Sequence, residues 1–424
     1  MWSRNVAVAL LLLCHSIAFA DNDNFELNDV VVTATRTAQT IGESLAPVSI
    51  LTREDIERSQ AHSVEDILRV LPGISVANQG GQGKLSSLFM RGTNANQVLI
   101  LLDGVRLGSA TSGLTALQDL PIDLIDRIEI VRGSRSSLYG ADAMGGVIQL
   151  FTRKGGDGTT KPTLSFGSGS YGSWQTAATL SGGTDKGAWY SLGLTALGTR
   201  GINACQGSLS AGCFTIEPDK DGYRKQSTRL RAGWNFDPTT SIDVNVLESF
   251  GHNFYDGSYA NQSRTEQQVL AVNLSALATD NWHSNLRLGQ HQDKSDDFKD
   301  QAFVSRFNSL RDSISWQNDF VLATGHQLVV GVDWQVERVN STTAFAVTSR
   351  NNHAIFVQYL AKILQQDLQV ALRHDDNQQF GGKTTGSIAW GYTLNPKLRF
   401  TASFSTAFKV PTFNDLYYPG FSNQ

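Results

Sequence analysis

From about Gly155 onward, apolar and polar side chains alternate one by one in short segments, as in Ser241-Ile242-Asp243-Val244-Asn245-Val246 and Asn285-Leu286-Arg287-Leu288. A period of two gives a strand one apolar and one wet face, so this part of the chain must form sheet and not helix. About thirteen such runs follow one another, among them Trp189 to Leu197, Thr228 to Phe236, Val269 to Leu277, Leu328 to Trp334, Leu368 to Arg373 and Leu398 to Phe404. The connectors alternate too. Asp237-Pro238-Thr239-Thr240, Ala278-Thr279-Asp280-Asn281, Ala323-Thr324-Gly325-His326, Gln365-Gln366-Asp367 and Asn395-Pro396-Lys397 are tight turns, whereas the connectors between them are mostly long and polar. Tight turns at one end and long loops at the other are the pattern of an outer-membrane β-barrel. A soluble β-sandwich would bury alternate residues equally well but does not explain that rhythm.

The N-terminus agrees with export. Residues 1–20 carry Arg4, an apolar run from Val6 to Leu13 and the small-x-small site Ala18-Phe19-Ala20, the layout of a signal peptide, so the mature chain is expected to start at Asp21. Leu13 is too large to precede a lipoprotein cysteine at Cys14, and no run reaches the roughly 18 apolar residues of a membrane helix. Of the three cysteines, Cys14 leaves with the leader. Cys205 and Cys213 are then expected to form a disulfide that staples a Gly/Ser-rich loop. A net charge of -4 and no basic arm exclude a nucleic-acid footprint. An outer-membrane enzyme would need a nucleophile beside a base, but there is no G-x-S-x-G and the eight histidines are scattered.

Between leader and strands the texture is mixed. Thr52-Arg53-Glu54-Asp55 and Ser63-Val64-Glu65-Asp66 resemble capping boxes, each opening a short helix, and the second helix should stop at Leu71-Pro72-Gly73. Two glycine-rich loops within Gly80 to Gly113 flank a hairpin, Val98 to Leu102 and Val105 to Leu107, turned by Asp103-Gly104. Ile125 to Val131 and Gly146 to Phe151 read as further strands. Together these make an α/β domain of roughly 120 residues, here taken as 37–155, ahead of the barrel at 156–424. Leu85, Ser86, Ser87, Asn94, Asn96 and Thr111 to Gly113 give the loop tips small polar groups that suit a polar, neutral ligand, or else simply water. In the segment 21–36, Asp29-Val30-Val31-Val32-Thr33-Ala34 is short and β-prone. It is either the first strand of the domain or a segment that adds as a strand to another protein.

A membrane sheet must close on itself and bacterial barrels have even strand counts. An odd count ending in Tyr418-Pro419-Gly420-Phe421-Ser422-Asn423-Gln424 therefore predicts a C-terminally incomplete barrel. A 22-stranded barrel would take roughly 180 more residues.

The chain resembles the TonB-dependent receptors of Gram-negative outer membranes, most closely the cobalamin receptors among them. The resemblance rests on Val31 to Arg36, Gly83-Lys84-Leu85-Ser86-Ser87-Leu88-Phe89-Met90-Arg91-Gly92-Thr93-Asn94-Ala95, Asp103 to Leu107, and Arg132-Gly133 through Tyr139-Gly140 to Gly145-Gly146-Val147. It implies a plug domain inside a 22-stranded barrel, with the ligand on the plug's outward loops. By position, the cobalamin contacts would fall on Leu85, Ser87, Asn94, Thr111 and Ser112, and Asp29 to Ala34 would be the TonB box that pairs with TonB. Glu217-Pro218-Asp219-Lys220-Asp221-Gly222 and Tyr255-Asp256 gather carboxylates in two long loops, and oxygen ligands of this kind suit calcium. Cobalamin receptors carry calcium in the matching loops, which makes Asn203, Glu217, Asp219, Asp221, Tyr255 and Asp256 the candidates. The sequence departs from that family where Asn203 replaces an acidic residue and where no Asp occurs near Gln267 along the chain, although Glu266 is close.

The function expected is TonB-dependent uptake of cobalamin or a related corrinoid from a barrel set in outer-membrane lipid. A receptor for a ferric siderophore or haem is the alternative, although Gly80 to Gly113 contains one lysine, Lys84, and just two arginines. A passive pore or adhesin would have little use for a plug or a coupling segment.

Overall fold

The structure, a computed structural model, describes residues 31–32, 36–156, 158–205, 207 and 215–420. The leader, Asp29, Val30, Thr33, Ala34 and Cys213 lie outside the described residues. No helix among the described residues is long and apolar enough to cross a membrane.

Val31–Val32 (β1) pairs antiparallel with Gln39–Thr40 (β2). Val48–Leu51 (β3) leads into Arg53–Ser59 (α1), where Thr52 and Asp55 form the reciprocal cap that the sequence predicts. The helix Val64–Arg69 (α2) receives only half of its box: Ser63 accepts the Asp66 amide at 3.2 Å, and no return bond from Asp66 accompanies it. It ends at Arg69, two residues before Leu71, which Pro72 biases away from helix. Ile74–Asn78 (β4) and Ser86–Met90 (β5) form a separate hairpin. Val98–Leu102 (β6) and Val105–Arg106 (β7) form the expected one, with Asp103 at φ 47° and Gly104 at φ 84° as the primed turn. All five residues of β6 are buried, so its run is continuously apolar, without alternation. Ile125–Arg132 (β8), Ser136–Tyr139 (α3) and Gly146–Thr152 (β9) complete a sheet of order β3-β8-β9-β6-β7, in which β6 and β9 run parallel.

The second region is one antiparallel sheet of 13 strands in sequence order. They are Lys161–Gly169 (β10), Ser173–Gly183 (β11), Ala188–Thr199 (β12), Tyr223–Asn235 (β13), Ser241–Phe254 (β14), Gln262–Thr279 (β15), Trp282–Lys299 (β16), Ala302–Ala323 (β17), His326–Ser341 (β18), Ser349–Ile363 (β19), Gln366–Asn377 (β20), Gly381–Asn395 (β21) and Leu398–Ser405 (β22). The helix Phe413–Tyr417 (α4) follows. β10 and β22 are the two edges of the sheet.

Two expectations need correction. The strands are longer than the ten or so residues of their alternating cores, reaching 22 residues in β17. In addition, the connector from β16 to β17 shrinks to Asp300 and Gln301, both at positive φ. The reason is the same in both cases. Polar residues such as Asp293 to Lys299 can hydrogen-bond across strands beyond the lipid, so ladder replaces loop wherever no glycine or proline interrupts it.

The strand faces separate cleanly. Large apolar residues such as Leu194, Leu230, Val246, Leu270, Ile314 and Ile355 are exposed on the outside. Near the tight turns sit aromatic residues, with Trp282 stacked on Phe320 at 5.7 Å and Trp390 on Tyr392 at 6.2 Å, as expected of an interfacial girdle. Inside the curve of the sheet, the apolar core of the first domain continues into Leu247, Val269 and Ala271 of the wall.

Candidate functional site

Three loops of the first domain rise toward the end of the sheet that carries the long connectors. Asn78 builds the first: its Oδ1 accepts the amides of Gly80 at 3.0 Å and Gly81 at 2.6 Å, and its Nδ2 donates to the Gly81 carbonyl at 2.9 Å. Gly83, at φ 80°, lies against Tyr223, where a Cβ would meet the ring at 2.1 Å. The next residue, Lys84, is buried and donates to the carbonyl of Asp221 at 3.0 Å and to Asn253 Oδ1 at 2.7 Å. The loop is thereby bolted to the barrel, and Leu85 is left 38 % exposed at its tip.

Burial pulls the Lys84 ammonium down to about 8, against the opposing pull of the Asp221 and Asp256 carboxylates. An unfolded lysine holds its proton to 10.5, so between these values the docked state binds fewer protons and its stability rises with pH. The melting temperature of wild type relative to Lys84→Met should therefore climb from pH 8 to pH 10. A constant difference would remove Lys84 from the docking.

The second loop begins at Asn94, which is exposed and whose amide donates to Gln97 Oε1 at 2.9 Å. Its neighbour Asn96 touches Gly113 of the third loop, so these two loops meet. Ser109 Oγ binds Thr111 Oγ1 at 2.6 Å, and Ser309 of β17 accepts the Ala110 amide at 2.9 Å. The carbonyls of Ala110 and Thr111 accept the amides of Phe413 and Asn414 from α4. Of the five ligand candidates, Leu85 and Asn94 are exposed and Ser87 and Ser112 are half-buried. Thr111 does not fit the expectation: it is 3 % exposed, its hydroxyl is engaged by Ser109, and α4 lies over it.

The acidic residues also gather. Carboxylate oxygens of Glu217, Asp219 and Asp256 lie within 4.8 Å of one another. Asn203 joins them through its Nδ2, which donates to the Glu217 carbonyl at 2.9 Å, and its Oδ1 is buried without a hydrogen-bond partner. Asp256 accepts the amides of Cys205 at 3.0 Å and Glu217 at 3.2 Å, and Lys299 pairs with Glu217. The other two candidates, Asp221 and Tyr255, lie outside that trio. Asp221 holds the Ala204 amide at 2.7 Å, and the Tyr255 hydroxyl reaches the Gln262 carbonyl at 3.5 Å. Burial, helped by the negative charges of Asp256 and Asp219, raises the Asp221 carboxyl above its usual range. Cys205 is disulfide-bonded, in keeping with the expected staple.

At the start of the domain, Arg36 fastens the chain to the wall. Its guanidinium donates to Asp333 at 2.8 Å and to Ser315 at 3.2 Å, and it lies 4.2 Å from the Phe356 ring centroid and 4.6 Å from that of Tyr139. Gln317 closes the clamp by donating to the Arg36 carbonyl at 2.7 Å. A cavity of about 780 Å³ lies beside this clamp, lined by Arg36, Arg106, Tyr139, Arg287 and Asp333, and extends from His283 near a tight turn to Arg350 and Val410.

Sequence reasoning missed the cations of the barrel interior. Lys225 donates to the carbonyls of Gln118 at 3.2 Å and Leu120 at 3.0 Å, Arg311 to that of Gly108 at 3.1 Å, and Arg373 to that of Leu138 at 3.1 Å. Arg231 binds Asp243 at 2.9 Å, Asp103 at 3.0 Å and the Thr152 carbonyl at 2.7 Å. The available signal was parity, because Lys225, Arg229 and Arg231 fall on one face of β13 and Leu230 falls on the other.

Comparison with known proteins gives concordant matches. Residues 40–147 match the TonB-dependent receptor plug domain family, and residues 151–424 match the TonB-dependent receptor-like β-barrel family. A vitamin B12 transporter BtuB of Photobacterium profundum is 33 % identical over 424 residues, 99 % of this chain and 68 % of the relative. That of Vibrio cholerae serotype O1 is 34 % identical over 440 residues, covering all of this chain and 69 % of its own. Among solved structures, the siderophore receptor PirA from Acinetobacter baumannii has a TM-score of 0.73 at 19 % identity over 86 % of this chain, and the ferric citrate transporter FecA in its unliganded form has 0.68 at 15 % over 87 %. The chain spans 61 % and 63 % of the length of those two structures.

Proposed function

This chain belongs to the TonB-dependent receptors of the bacterial outer membrane, and from that premise we propose that it carries cobalamin or a related corrinoid inward at the expense of TonB. The observation that carries the choice of ligand is identity of 33 % to 34 % along the whole chain with vitamin B12 transporters. The likeness to siderophore receptors, at 19 %, concerns fold. The loop tips are consistent with a large polar ligand, since Leu85, Ser87, Asn94 and Ser112 offer an apolar contact and small neutral hydrogen-bonding groups.

In this reading TonB adds as a strand to Asp29 to Ala34. Val31–Val32 already pairs with Gln39–Thr40, so TonB competes with an internal hairpin of two residue pairs and needs to displace little. Tension then falls on Arg36, the first residue past the segment that is tied to the wall. Releasing it unpins the domain next to the 780 Å³ cavity, where a path through the lumen can widen.

Uptake of radiolabelled cobalamin by cells lacking their own receptor tests the proposal. Uptake should require both this protein and TonB. Val31→Pro, which forbids strand pairing at that residue, should reduce it to the TonB-free level while leaving cobalamin binding intact. Normal uptake in Val31→Pro would refute the coupling. No cobalamin uptake, with the receptor present in the membrane, would shift the ligand to a ferric chelate.

We also propose that calcium orders the acidic loops. Glu217, Asp219 and Asp256 supply hard oxygen donors within reach of one ion, and Asn203, tied to the Glu217 carbonyl through Nδ2, has an Oδ1 without a partner that could turn to it. Lys299 beside Glu217 is a built-in counter-charge that calcium would have to displace. Calorimetric titration with calcium should show one site that Asp219→Asn with Asp256→Asn abolishes. Chelation should weaken cobalamin binding in wild type and leave that variant unchanged. Equal heats from both proteins would eliminate the site.

A further inference from the structure

The outer face of the sheet carries a constellation that neither the plug nor the lumen uses. Strand register sets Arg224 opposite His252, His252 opposite Arg264, Arg264 opposite Asp296, and Asp296 opposite Arg306, so one row crosses β13 to β17. The row has outward parity, because the adjacent Lys225, Ser263 and Ser305 are buried on the lumenal side. Its acid is already neutralised: Asp296 binds Arg306 at 2.5 Å and lies 3.9 Å from Lys294, which also reaches Glu266 at 3.3 Å.

Two cations are left over. Arg224 and Arg264 make no ion pair within 4 Å among the described residues; Arg264 lies 4.7 Å from the centroid of the Phe298 ring and feels the Asp296 carboxylate across the ladder. Between them, His252 has a buried Nε2 without a hydrogen-bond partner. A cavity of about 420 Å³ opens here, with Arg224, Phe250, His252, Arg264 and Lys294 in its lining. Arg224 and Arg264 stand two strands apart, roughly 10 Å, so their side chains can converge on one anion above His252.

Height above the lipid selects among anions. The apolar band begins at Leu230, level with Val246 and Leu270, six residues along β13 from Arg224. At about 3.3 Å per residue and a strand tilt of about 40°, Arg224 stands roughly 15 Å above the start of that band on its strand. That is beyond a simple phospholipid headgroup. The intervening rows carry Gln226, Thr228, Gln268 and Gln292 beside Glu248, Phe250, Glu266 and Lys294, and these amides, hydroxyls and charged groups suit sugar hydroxyls.

We propose that Arg224, His252 and Arg264 bind a phosphate on the saccharide headgroup of an outer-leaflet glycolipid whose acyl chains lie on the apolar band below. This fixes the protein's depth and its neighbouring lipid independently of the ligand it transports.

The test uses the purified full chain in detergent and a lipopolysaccharide with a phosphorylated inner core, with bound copies counted by native mass spectrometry. Wild type should bind it, and the variant with Arg224→Gln and Arg264→Gln should bind at least about tenfold less tightly. Enzymatic dephosphorylation of the glycolipid should cost wild type the same factor. Arg338→Gln removes another outward cation, one paired with Asp312 at 2.5 Å, and should change nothing. Undiminished binding by the double variant, or to the dephosphorylated glycolipid, overturns the proposal. Displacement by millimolar inorganic phosphate also overturns it, since the site would then read a free anion. If the double variant melts at a lower temperature than wild type, the two single variants decide on the same criteria.

Discussion

Replacing Asp103 by alanine is expected to cost about 3 to 5 kcal/mol of stability, because it strands buried donors of both plug and wall. The Asp103 carboxylate sits in the turn of the central hairpin and is 5 % exposed. It accepts four kinds of donor: Arg231 at 3.0 Å and Asn245 Nδ2 at 2.7 Å from the wall, and the Thr152 amide at 3.1 Å and hydroxyl at 2.7 Å from its own domain. Burial pushes the Asp103 carboxyl up while Arg231 and the Thr152 bonds pull it back. Alanine leaves Asn245 Nδ2 and the Thr152 amide without their acceptor in a dry interface. Arg231 keeps Asp243, which places the cost at docking and spares the strand itself. Urea unfolding followed by a probe in the plug and another in the barrel checks this. The plug transition should move to lower urea and the barrel transition stay close to wild type. Coincident, unmoved transitions would show that the network holds nothing.

Arg36→Ala is expected to detach the start of the plug without unfolding the rest. The guanidinium is 9 % exposed in its side chain and binds Asp333, Ser315 and two aromatic faces. Asp333 does not become an orphan, since Arg373 binds it at 2.5 Å. The loss should therefore fall below that of a fully broken buried pair, at about 2 to 3 kcal/mol, which raises local opening roughly 30-fold to 150-fold. A cysteine placed at Thr37, which is 3 % exposed, and labelled by a thiol reagent reads that opening as a rate. Labelling at the wild-type rate would mean that the Gln317 bond to the Arg36 carbonyl holds the segment unaided. Arg36→Lys should fall between the two, because an ammonium cannot form the same fork or lie flat between two rings.

These two residues show what the sequence does and does not display. The strands were legible because lipid on one face and plug on the other force a period of two on Trp189 to Leu197 and its successors. The Asp103-Gly104 hairpin was legible because a primed turn restricts residue type locally. Strand length was not, since beyond the lipid the polar residues of β16 and β17 look the same whether they pair or loop. Thr111 was misjudged because what covers it, α4, comes some three hundred residues later in the chain and is tied by main-chain bonds. The acidic loops were foreseen in outline, but only geometry groups Glu217, Asp219 and Asp256 apart from Asp221. Arg36 and Asp103 stood out only as parts of short motifs. Their partners, Asp333 and Arg231, are 297 and 128 residues away, and no local pattern encodes such a distance.

Lys225, Arg311 and Arg373 seize main-chain oxygens of the plug at Gln118, Leu120, Gly108 and Leu138. A carbonyl is the same acceptor whatever side chain hangs from its residue. At these points the barrel checks the route of the inner chain and ignores its lettering. Plug and wall can thus change their sequences out of step and still fit, and a plug grafted from a relative that traces the same route should seat without matching substitutions in the wall.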